Sequence, residues 1–329
     1  MSLSRPWCGR RYLDEHQINK LKPATVVRYR QVALRFTTWA LEHHVLPSSV
    51  DEWDDALVEY KNLYRDGLGR RVSHSDFASL LAAVEFFFPR YKHKLGWAHA
   101  VMSAWDVTHE TKHTVPMCRG PANLWAVHLC SAGHARLGFG LLLQQRCGLR
   151  PSEMLQLTPD AVILPEEQGL SAHTGYAEIC LGLRAGTKAK RPQTVVVRAE
   201  QEPQLLSLLR IVKQTTPAGK RLVPYSIDNM RKWLKLVDGI LLNAPSGYTP
   251  HSPRSGFASE GRARGIPFQE LKEQGRWLSD SSLRVYIDIQ QAAAIAAGLR
   301  AAGLAPAQAW AGDNLGAFFT VQALAAADL

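Results

Sequence analysis

The spacing of the hydrophobic residues constrains this chain more than any other feature, because it is helical over most of the sequence and changes to alternation in one stretch. Between residues 25 and 44, Tyr29, Val32, Phe36 and Trp39 or Ala40 follow one another at three to four positions. This spacing predicts one apolar face of an amphipathic helix, with Thr25 as its N-cap. Further helical patterns cover residues 50–67, 73–92, 122–157, 203–213, 226–242 and 252–274, and a last one runs through Tyr286.

The exception is the stretch from 176 to 198, YAEICLGLRAGTKAKRPQTVVVR, in which apolar and polar residues alternate. Branched residues lie on both sides of Gly186 and of a Lys-Arg cluster. This pattern predicts a β-hairpin or small antiparallel sheet with a basic tip. The expected fold class is therefore mainly α with a small antiparallel β-sheet, the sheet lying in an α+β second domain.

A polar stretch predicts where the chain divides. A chain of 329 residues is too long for one ordinary core. Residues 108–116, THETKHTVP, resemble an exposed connection between domains. We therefore predict a helical domain over 1–112 and a second domain over 113–329.

The charge of the chain favours a polyanionic partner. The formal net charge is +10 and the pI is near 9.5, and a basic surface gains affinity for phosphates by releasing counterions. Charge alone is equally typical of chains that bind nothing anionic. Arg28 and Arg35 lie off the apolar face of the first predicted helix, where a phosphate backbone can run, although an ordinary solvated face explains them as well.

The five cysteines indicate neither a zinc site nor a disulfide framework, since they are scattered, odd in number and never spaced C-x-x-C. We expect them to be reduced and the protein to be intracellular. Neither the N-terminal residues nor the Ala-rich stretch near 292–312, which Arg300 and Pro306 interrupt, has the pattern of a signal peptide or a membrane span.

Four separated motifs bear on chemistry: GLRPSEMLQL at 148–157, GTKAKR at 186–191, HSPRSGFAS at 251–259 and GRWLSDSSLRVYID at 275–288. In this order they resemble the catalytic boxes of the tyrosine recombinase (phage integrase) family, and Tyr286 follows Trp277 by nine residues as in that family's last box. The segment 25–44 also resembles the family's N-terminal domain. The resemblance implies a helical core-binding domain over 1–112 and a catalytic domain over 113–329.

The resemblance also implies a reaction, in which Tyr286 attacks a DNA phosphate and forms a 3′-phosphotyrosyl enzyme. Such a step needs a nucleophile, neutralisation of the transition-state charge and a proton for the leaving oxygen. Arg150 and Arg254 suit the second need, because a guanidinium stays charged and its planar fork fits a phosphate. Lys188 resembles the general acid that protonates the leaving 5′ oxygen. Lys190, two residues later, is the alternative.

The remaining implied roles concern orientation and contact with DNA. His251, three residues before Arg254, resembles the residue that hydrogen-bonds the phosphate and assists proton transfer, since phenols are mostly protonated at neutral pH. Glu153 suits bracing Arg150 or His251. Trp277 stands where many relatives have His and some have Trp, and its indole N–H can donate to a phosphate oxygen. Arg28, Arg35, Lys190 and Arg191 are the expected DNA-binding residues.

Pro253 departs from the family, in which a larger apolar residue is usual, and it makes the start of the helix after His251 uncertain. Other chemistries lack their motifs: the sequence has no G-x-x-x-x-G-K-[ST], H-E-x-x-H or G-x-S-x-G. We therefore expect no metal, no ATP and no other cofactor.

The resemblance implies duplex DNA as partner, four protomers on two DNA sites, and a location with the DNA, in a bacterial nucleoid or a eukaryotic nucleus. The tail after residue 292 can dock on a neighbouring protomer or pack on its own domain. Three alternatives remain at this point: a type IB topoisomerase that relaxes supercoils, a catalytically silent DNA-binding descendant, and a purely structural helical protein.

Overall fold

The computed structural model describes residues 21–109, 113–182, 193–242 and 245–326. The chain divides into two compact units, 1–111 and 112–329, and each unit has its own hydrophobic core. Within the described ranges, every helix is too short or too polar to cross a membrane.

The first unit is helical. Its helices are α1 (Pro23–Glu42), α2 (Val50–Leu63), α3 (His74–Phe87) and α4 (Gly96–Thr108), with a 3₁₀ turn at Pro89–Tyr91. The predicted apolar face of α1 is confirmed, since Val32, Phe36, Trp39 and Ala40 are buried. The predicted N-cap, Thr25, was wrong. The helix begins at Pro23, because the fixed φ of proline suits the first helical position.

Helix α4 was not predicted, and the reason lies in which group accepts the hydrogen bonds of its first-turn backbone N–H groups. The backbone N–H groups of Trp97 and Ala98 donate to the Asp54 carboxylate over 2.7 and 2.8 Å. The acceptor comes from α2, more than forty residues earlier, rather than from a neighbouring Ser, Thr or Asp. The start of this helix therefore carries no local capping signal.

The second unit begins with α5 (Arg119–Ser131), α6 (Ala135–Cys147) and the one-turn helix α7 (Pro151–Met154). The continuous helical pattern predicted here is interrupted after Ser131, where Gly133 has φ +84°. Pro151 occupies the first turn of α7, as predicted. The connection predicted over 108–116 is only partly exposed, since Pro116, its last residue, is buried.

The predicted sheet is confirmed for its two strands, β2 (Tyr176–Leu181) and β3 (Gln193–Arg198), which pair antiparallel with Ile179 opposite Val195. A third strand, β1 (Val162–Ile163), adds to β2 and gives the order β1-β2-β3. The tip between β2 and β3, residues 183–192, lies outside the described residues. The fold class is that expected, mainly helical with a small antiparallel sheet.

The rest of the second unit is helical again. Its helices are α8 (Pro203–Thr215), α9 (Ile227–Leu241), α10 (Ser252–Ala263), α11 (Phe268–Gln274), α12 (Asp280–Arg284), α13 (Ile289–Ala301), α14 (Ala305–Asp313), α15 (Leu315–Phe318) and α16 (Val321–Ala326). The single helix predicted over 252–274 was wrong, because Gly265, at φ +84°, and Pro267 separate α10 from α11.

The tail packs on its own domain. Leu315, Phe319 and Leu324 belong to the core of the second unit. The fully buried guanidinium of Arg136 donates to the carbonyl of Leu324 over 2.9 Å. A buried charge that serves main-chain carbonyls fixes the last helix to α6.

Candidate active site

The end of helix α6 is the point around which the predicted residues gather. Gly148 follows the helix with φ +57°, and a Cβ at this position would lie 2.7 Å from the Phe257 ring. Its carbonyl accepts hydrogen bonds from Arg254 Nη1 and, over 3.3 Å, from Arg276 Nη2. The partial negative charge at a helix C-terminus favours cations here. Glycine therefore lets one carbonyl hold two guanidinium groups.

Arg150 and Glu153 form a local clamp two residues later. The Glu153 carboxylate accepts from the Arg150 backbone N–H over 2.8 Å and from Arg150 Nη1 over 2.5 Å. The Glu153 side chain is only 8% exposed and that of Arg150 is 20% exposed. Burial acts to raise the pKa of Glu153, but the charges of Arg276 and Arg150 and the backbone N–H outweigh it, so the pKa is lowered. Of the two expected braces, the geometry contains the one to Arg150.

Arg254, on α10, is the most enclosed of the predicted residues, with no solvent exposure. Its Nη2 donates to the Gly275 carbonyl over 2.7 Å. Its Cζ lies 4.0 Å from the centre of the Trp277 ring and 5.4 Å from that of Tyr286, which are cation–π distances. Burial and the charges of Arg150 and Arg276 lower the pKa of Arg254 to about 9, so the group is charged at neutral pH.

Trp277 is nearly buried, at 5% exposure, and its ring centre lies 5.5 Å from that of Tyr286. Gly275 provides the space, because a Cβ there would overlap the indole. The Trp277 Nε1 and Arg254 Nε groups are buried and, among the described residues, have no hydrogen-bond partner. A buried donor without a partner is costly. Two such donors beside one tyrosine are suited to an anionic substrate.

Tyr286 is partly exposed and lies in the short connection between α12 and α13. The predicted helix through Tyr286 was wrong. Helix α12 ends at Arg284, because the Tyr286 N–H donates to the Leu283 carbonyl, three residues back, over 2.8 Å and the four-residue pattern stops. The Tyr286 carbonyl is bound to another helix. Ser255 Oγ and Ser259 Oγ of α10 lie within donating distance of it, at 2.9 and 3.1 Å, and the single Ser255 hydroxyl proton is shared with the Thr114 carbonyl, 3.0 Å away.

Ser255 and Ser259 are site residues that the sequence analysis did not identify. Ser259 Oγ also accepts from the Asp288 backbone N–H over 2.9 Å, so it holds the chain at Tyr286 and two residues after it. Their spacing of four residues puts the two hydroxyls on one helix face. The same spacing is typical of small residues at a close helix contact, and the signal was therefore not specific.

His251 is the N-cap residue of α10, and Pro253 is the second residue of the helix, where proline is tolerated. The helix thus begins where the motif needs it. The His251 backbone N–H donates to Thr249 Oγ1 over 3.3 Å, and its carbonyl accepts from the Ser255 N–H over 3.1 Å. His251 is partly exposed and lies one turn before Arg254.

Arg276 is a third arginine that the sequence analysis passed over. It is 8% exposed, and its Nη2 lies 3.0 Å from Glu153 Oε2. Arg150 and Arg276 therefore share one carboxylate, while Arg254 and Arg276 share one carbonyl. Its position between Gly275 and Trp277 gave no pattern that distinguished it from a surface arginine.

The other predicted residues fall elsewhere. Lys188, Lys190 and Arg191 lie outside the described residues. Arg28 and Arg35 are exposed, as expected, but both contact Asp76 of α3, over 3.5 and 3.2 Å. Within the part of the chain that the structure describes, no cluster of three His, Cys, Asp or Glu residues is placed to hold a metal ion.

Comparisons with known proteins bear on the fold. No family profile and no curated protein sequence matches the chain. A pre-cleavage complex of the XerH site-specific recombinase bound to difH substrate matches with a TM-score of 0.50 and 14% identity, over 82% of this chain and 78% of that chain.

Two further solved structures are similar to a lesser degree. A post-cleavage complex of XerH bound to palindromic difH substrate has a TM-score of 0.48 and 14% identity, over 71% of this chain and 66% of that one, so this chain spans slightly less than two thirds of it. The XerA recombinase has a TM-score of 0.42 and 16% identity, over 87% of this chain and 93% of that one. At such identities, what is shared is the fold.

Proposed function

Because the chain has the fold of the tyrosine recombinases, we propose that it breaks and rejoins DNA strands, with Tyr286 as the nucleophile. The observation that carries the proposal is the position of Arg254. Its buried guanidinium faces the Tyr286 and Trp277 rings and has one donor without a partner among the described residues. It also lies close enough to Arg150 and Arg276 for their charges to lower its pKa. Three guanidinium groups and one carboxylate at a tyrosine suit attack on a phosphate.

In the proposed step, Tyr286 Oη bonds to phosphorus and the bond from phosphorus to the 5′ oxygen breaks. Arg150 and Arg254 neutralise the non-bridging oxygens, and Trp277 Nε1 donates to one of them. Removing one preorganised donor of this kind costs about 10²–10³ in rate. Glu153 holds Arg150 in place.

Two proton transfers accompany the step. His251 assists removal of the phenol proton, and Lys188, or Lys190 as its alternative, protonates the leaving 5′ oxygen. The products are a 3′-phosphotyrosyl enzyme and a free 5′ hydroxyl. Since the covalent bond stores the energy of the phosphodiester, a second 5′ hydroxyl can reverse the step without ATP.

The proposed partner is duplex DNA, and both XerH structures above are complexes with their difH substrate. Arg28 and Arg35 of the first unit, together with Lys190 and Arg191, are the proposed backbone contacts. Four protomers on two DNA sites would complete the recombination. Binding should weaken steeply with salt, because each neutralised phosphate releases counterions.

The test is covalent capture. The protein is incubated with a pool of nicked duplexes that carry a randomised central segment, and adducts are separated by denaturing electrophoresis and sequenced. The wild type should form an adduct that Tyr286→Phe does not form. Tyr176→Phe, which changes a partly exposed tyrosine of β2, is the matched control and should still form it.

Other outcomes of this experiment would favour a different nucleophile or a different function. An adduct with Tyr286→Phe would make the nucleophile assignment wrong. Relaxation of plasmids of any sequence without recombinant products would favour a type IB topoisomerase activity. Salt-dependent DNA binding by a wild type that forms no adduct would favour a silent DNA-binding protein.

A further inference from the structure

Arg276 has an unusual backbone for its residue type. Helix α11 ends in two reverse hydrogen bonds, from the Trp277 N–H to the Lys272 carbonyl over 2.9 Å and from the Arg276 N–H to the Glu273 carbonyl over 3.0 Å. This pair defines a Schellman motif, with Arg276 at the C′ position. Glycine is the usual residue there, because C′ takes the left-handed conformation, and Arg276 has φ +58°.

The glycine of this turn, Gly275, lies one residue before the left-handed C′ position. Gly275 has φ −81°, which any residue adopts, and its lack of a side chain makes room for the Trp277 ring. The turn therefore has a side chain at Arg276, where the left-handed backbone disfavours a β-carbon. It has none at Gly275, where the backbone would accept any residue. Choices that break a local rule are expected at functional sites, where the side chain offsets their cost.

The Arg276 side chain donates hydrogen bonds to three groups around the candidate site. Nη2 lies 3.0 Å from Glu153 Oε2 and 3.3 Å from the Gly148 carbonyl, and Nη1 lies 3.2 Å from the Gln274 carbonyl. Glu153 Oε1 accepts from Arg150 Nη1, and Oε2 accepts from the Arg150 backbone N–H over 2.8 Å, so the two guanidinium groups take different carboxylate oxygens. Arg276 thus adds a charged donor at Oε2, from a part of the chain remote from the Arg150 turn.

We propose that Arg276 is a positioning residue, which orients the Glu153 carboxylate and through it holds Arg150 towards the scissile phosphate. This inference rests on the proposed function. Arg276 also adds one positive charge beside Arg254. The three guanidinium groups and one carboxylate then leave a net charge of about +2, suited to a phosphorane-like transition state that carries about two negative charges.

Arg276→Gly is the informative variant, because glycine suits the left-handed C′ position and the relief of backbone strain there offsets part of the cost of losing the ion pair to Glu153. We expect cleavage of the captured duplex to slow by about 10- to 100-fold, since a misplacement of about 1 Å costs that much. The dissociation constant for the same duplex should change by less than about threefold, because one buried arginine contributes little to the phosphate contacts that dominate affinity. Arg276→Lys keeps the charge without the planar fork and should recover part of the rate.

The matched control is His44→Gly. His44 also has a left-handed backbone, at φ +57°, but is exposed and lies in the first unit. Relaxing its backbone should leave the cleavage rate unchanged. A loss with His44→Gly equal to that with Arg276→Gly would overturn the positioning role.

A second readout separates positioning from a merely structural ion pair. The groups that face Glu153 are Arg150, Arg254 and Arg276. Without Arg276 the acid side of the pH–rate profile should move to higher pH, because the carboxylate is held ionised less strongly. Arg276→Lys should move it back. An unmoved profile, or cleavage at the wild-type rate in Arg276→Gly, would overturn the proposal.

A double-mutant cycle of Arg276→Gly and Glu153→Gln, read by thermal unfolding, measures the contact independently of any reaction. Coupling together with slowed cleavage supports the proposal, and additive melting shifts overturn it while the proposed function stands. A wild type that forms no adduct overturns the proposed function and the positioning role with it, and coupling then describes a structural ion pair.

Discussion

Replacing Gly148 with alanine should destabilise the second unit through two separate costs. The left-handed backbone, at φ +57°, costs a non-glycine residue about 1–2 kcal/mol. The new Cβ would lie 2.7 and 2.8 Å from two atoms of the Phe257 ring, and overpacking of this kind costs about 1–3 kcal/mol. We expect the free energy of unfolding to fall by about 2–5 kcal/mol.

Gly133→Ala is the matched control in the same unit. Gly133 has φ +84°, and a Cβ there would meet no atom of the described residues within 4 Å, so this variant carries the backbone cost alone. The difference between the two variants, about 1–3 kcal/mol, belongs to the Phe257 contact. Adding Phe257→Leu to Gly148→Ala should recover part of that difference, since leucine is smaller.

Urea denaturation followed by circular dichroism measures both variants, and covalent capture of DNA measures the consequence for the site. Because the Gly148 carbonyl binds Arg254 and Arg276, displacement of this residue should slow adduct formation more than it weakens DNA binding. Equal destabilisation by Gly148→Ala and Gly133→Ala would refute the reasoning from the Phe257 contact.

Three further predictions concern the same unit. Glu153→Gln should lower stability by about 3–5 kcal/mol at pH 7, because it leaves Arg276 buried beside an uncharged partner. The folded-state pKa of Glu153 is below its ordinary 4.5, so its contribution is present above that pH and is lost as the pH falls below it; urea denaturation from pH 7 to pH 3 should show the two proteins converging. Ser259→Ala should cost about 1–3 kcal/mol and slow adduct formation at unchanged DNA affinity, whereas a wild-type rate would contradict the tie to Tyr286. Burial raises the pKa of three thiols, to about 12, 11 and 12, so mass spectrometry of the native protein alkylated at pH 8 should find them unmodified until urea is added: Cys118, Cys130 and Cys147.

The helices with a regular apolar face could be predicted from the sequence, because their signal lies within a few neighbouring residues. The face of α1 and the strands β2 and β3 are of this kind. Helix α4 could not be predicted, since Asp54 caps it from another helix. The division of 252–274 was missed because a glycine inside a helical pattern does not by itself indicate an end.

For the candidate site, the order of the motifs predicted six of the described residues: Arg150, Glu153, His251, Arg254, Trp277 and Tyr286. The structure brings Arg254, Trp277 and Tyr286 into contact and pairs Arg150 with Glu153. The roles of Gly148, Ser259 and Arg276 depend on contacts across more than twenty residues of sequence. Such contacts leave no periodic pattern, so they became visible only in three dimensions.

The hydroxyls of Ser255 and Ser259 link the loop that contains Tyr286 to α10, the helix that carries Arg254. Any rigid shift of that helix would carry tyrosine and guanidinium along as one body, and their spacing would survive it. Switching such a centre off by pulling the tyrosine away would require breaking both serine tethers first. Displacing the Arg150 turn would instead require breaking the contact between Glu153 and Arg276.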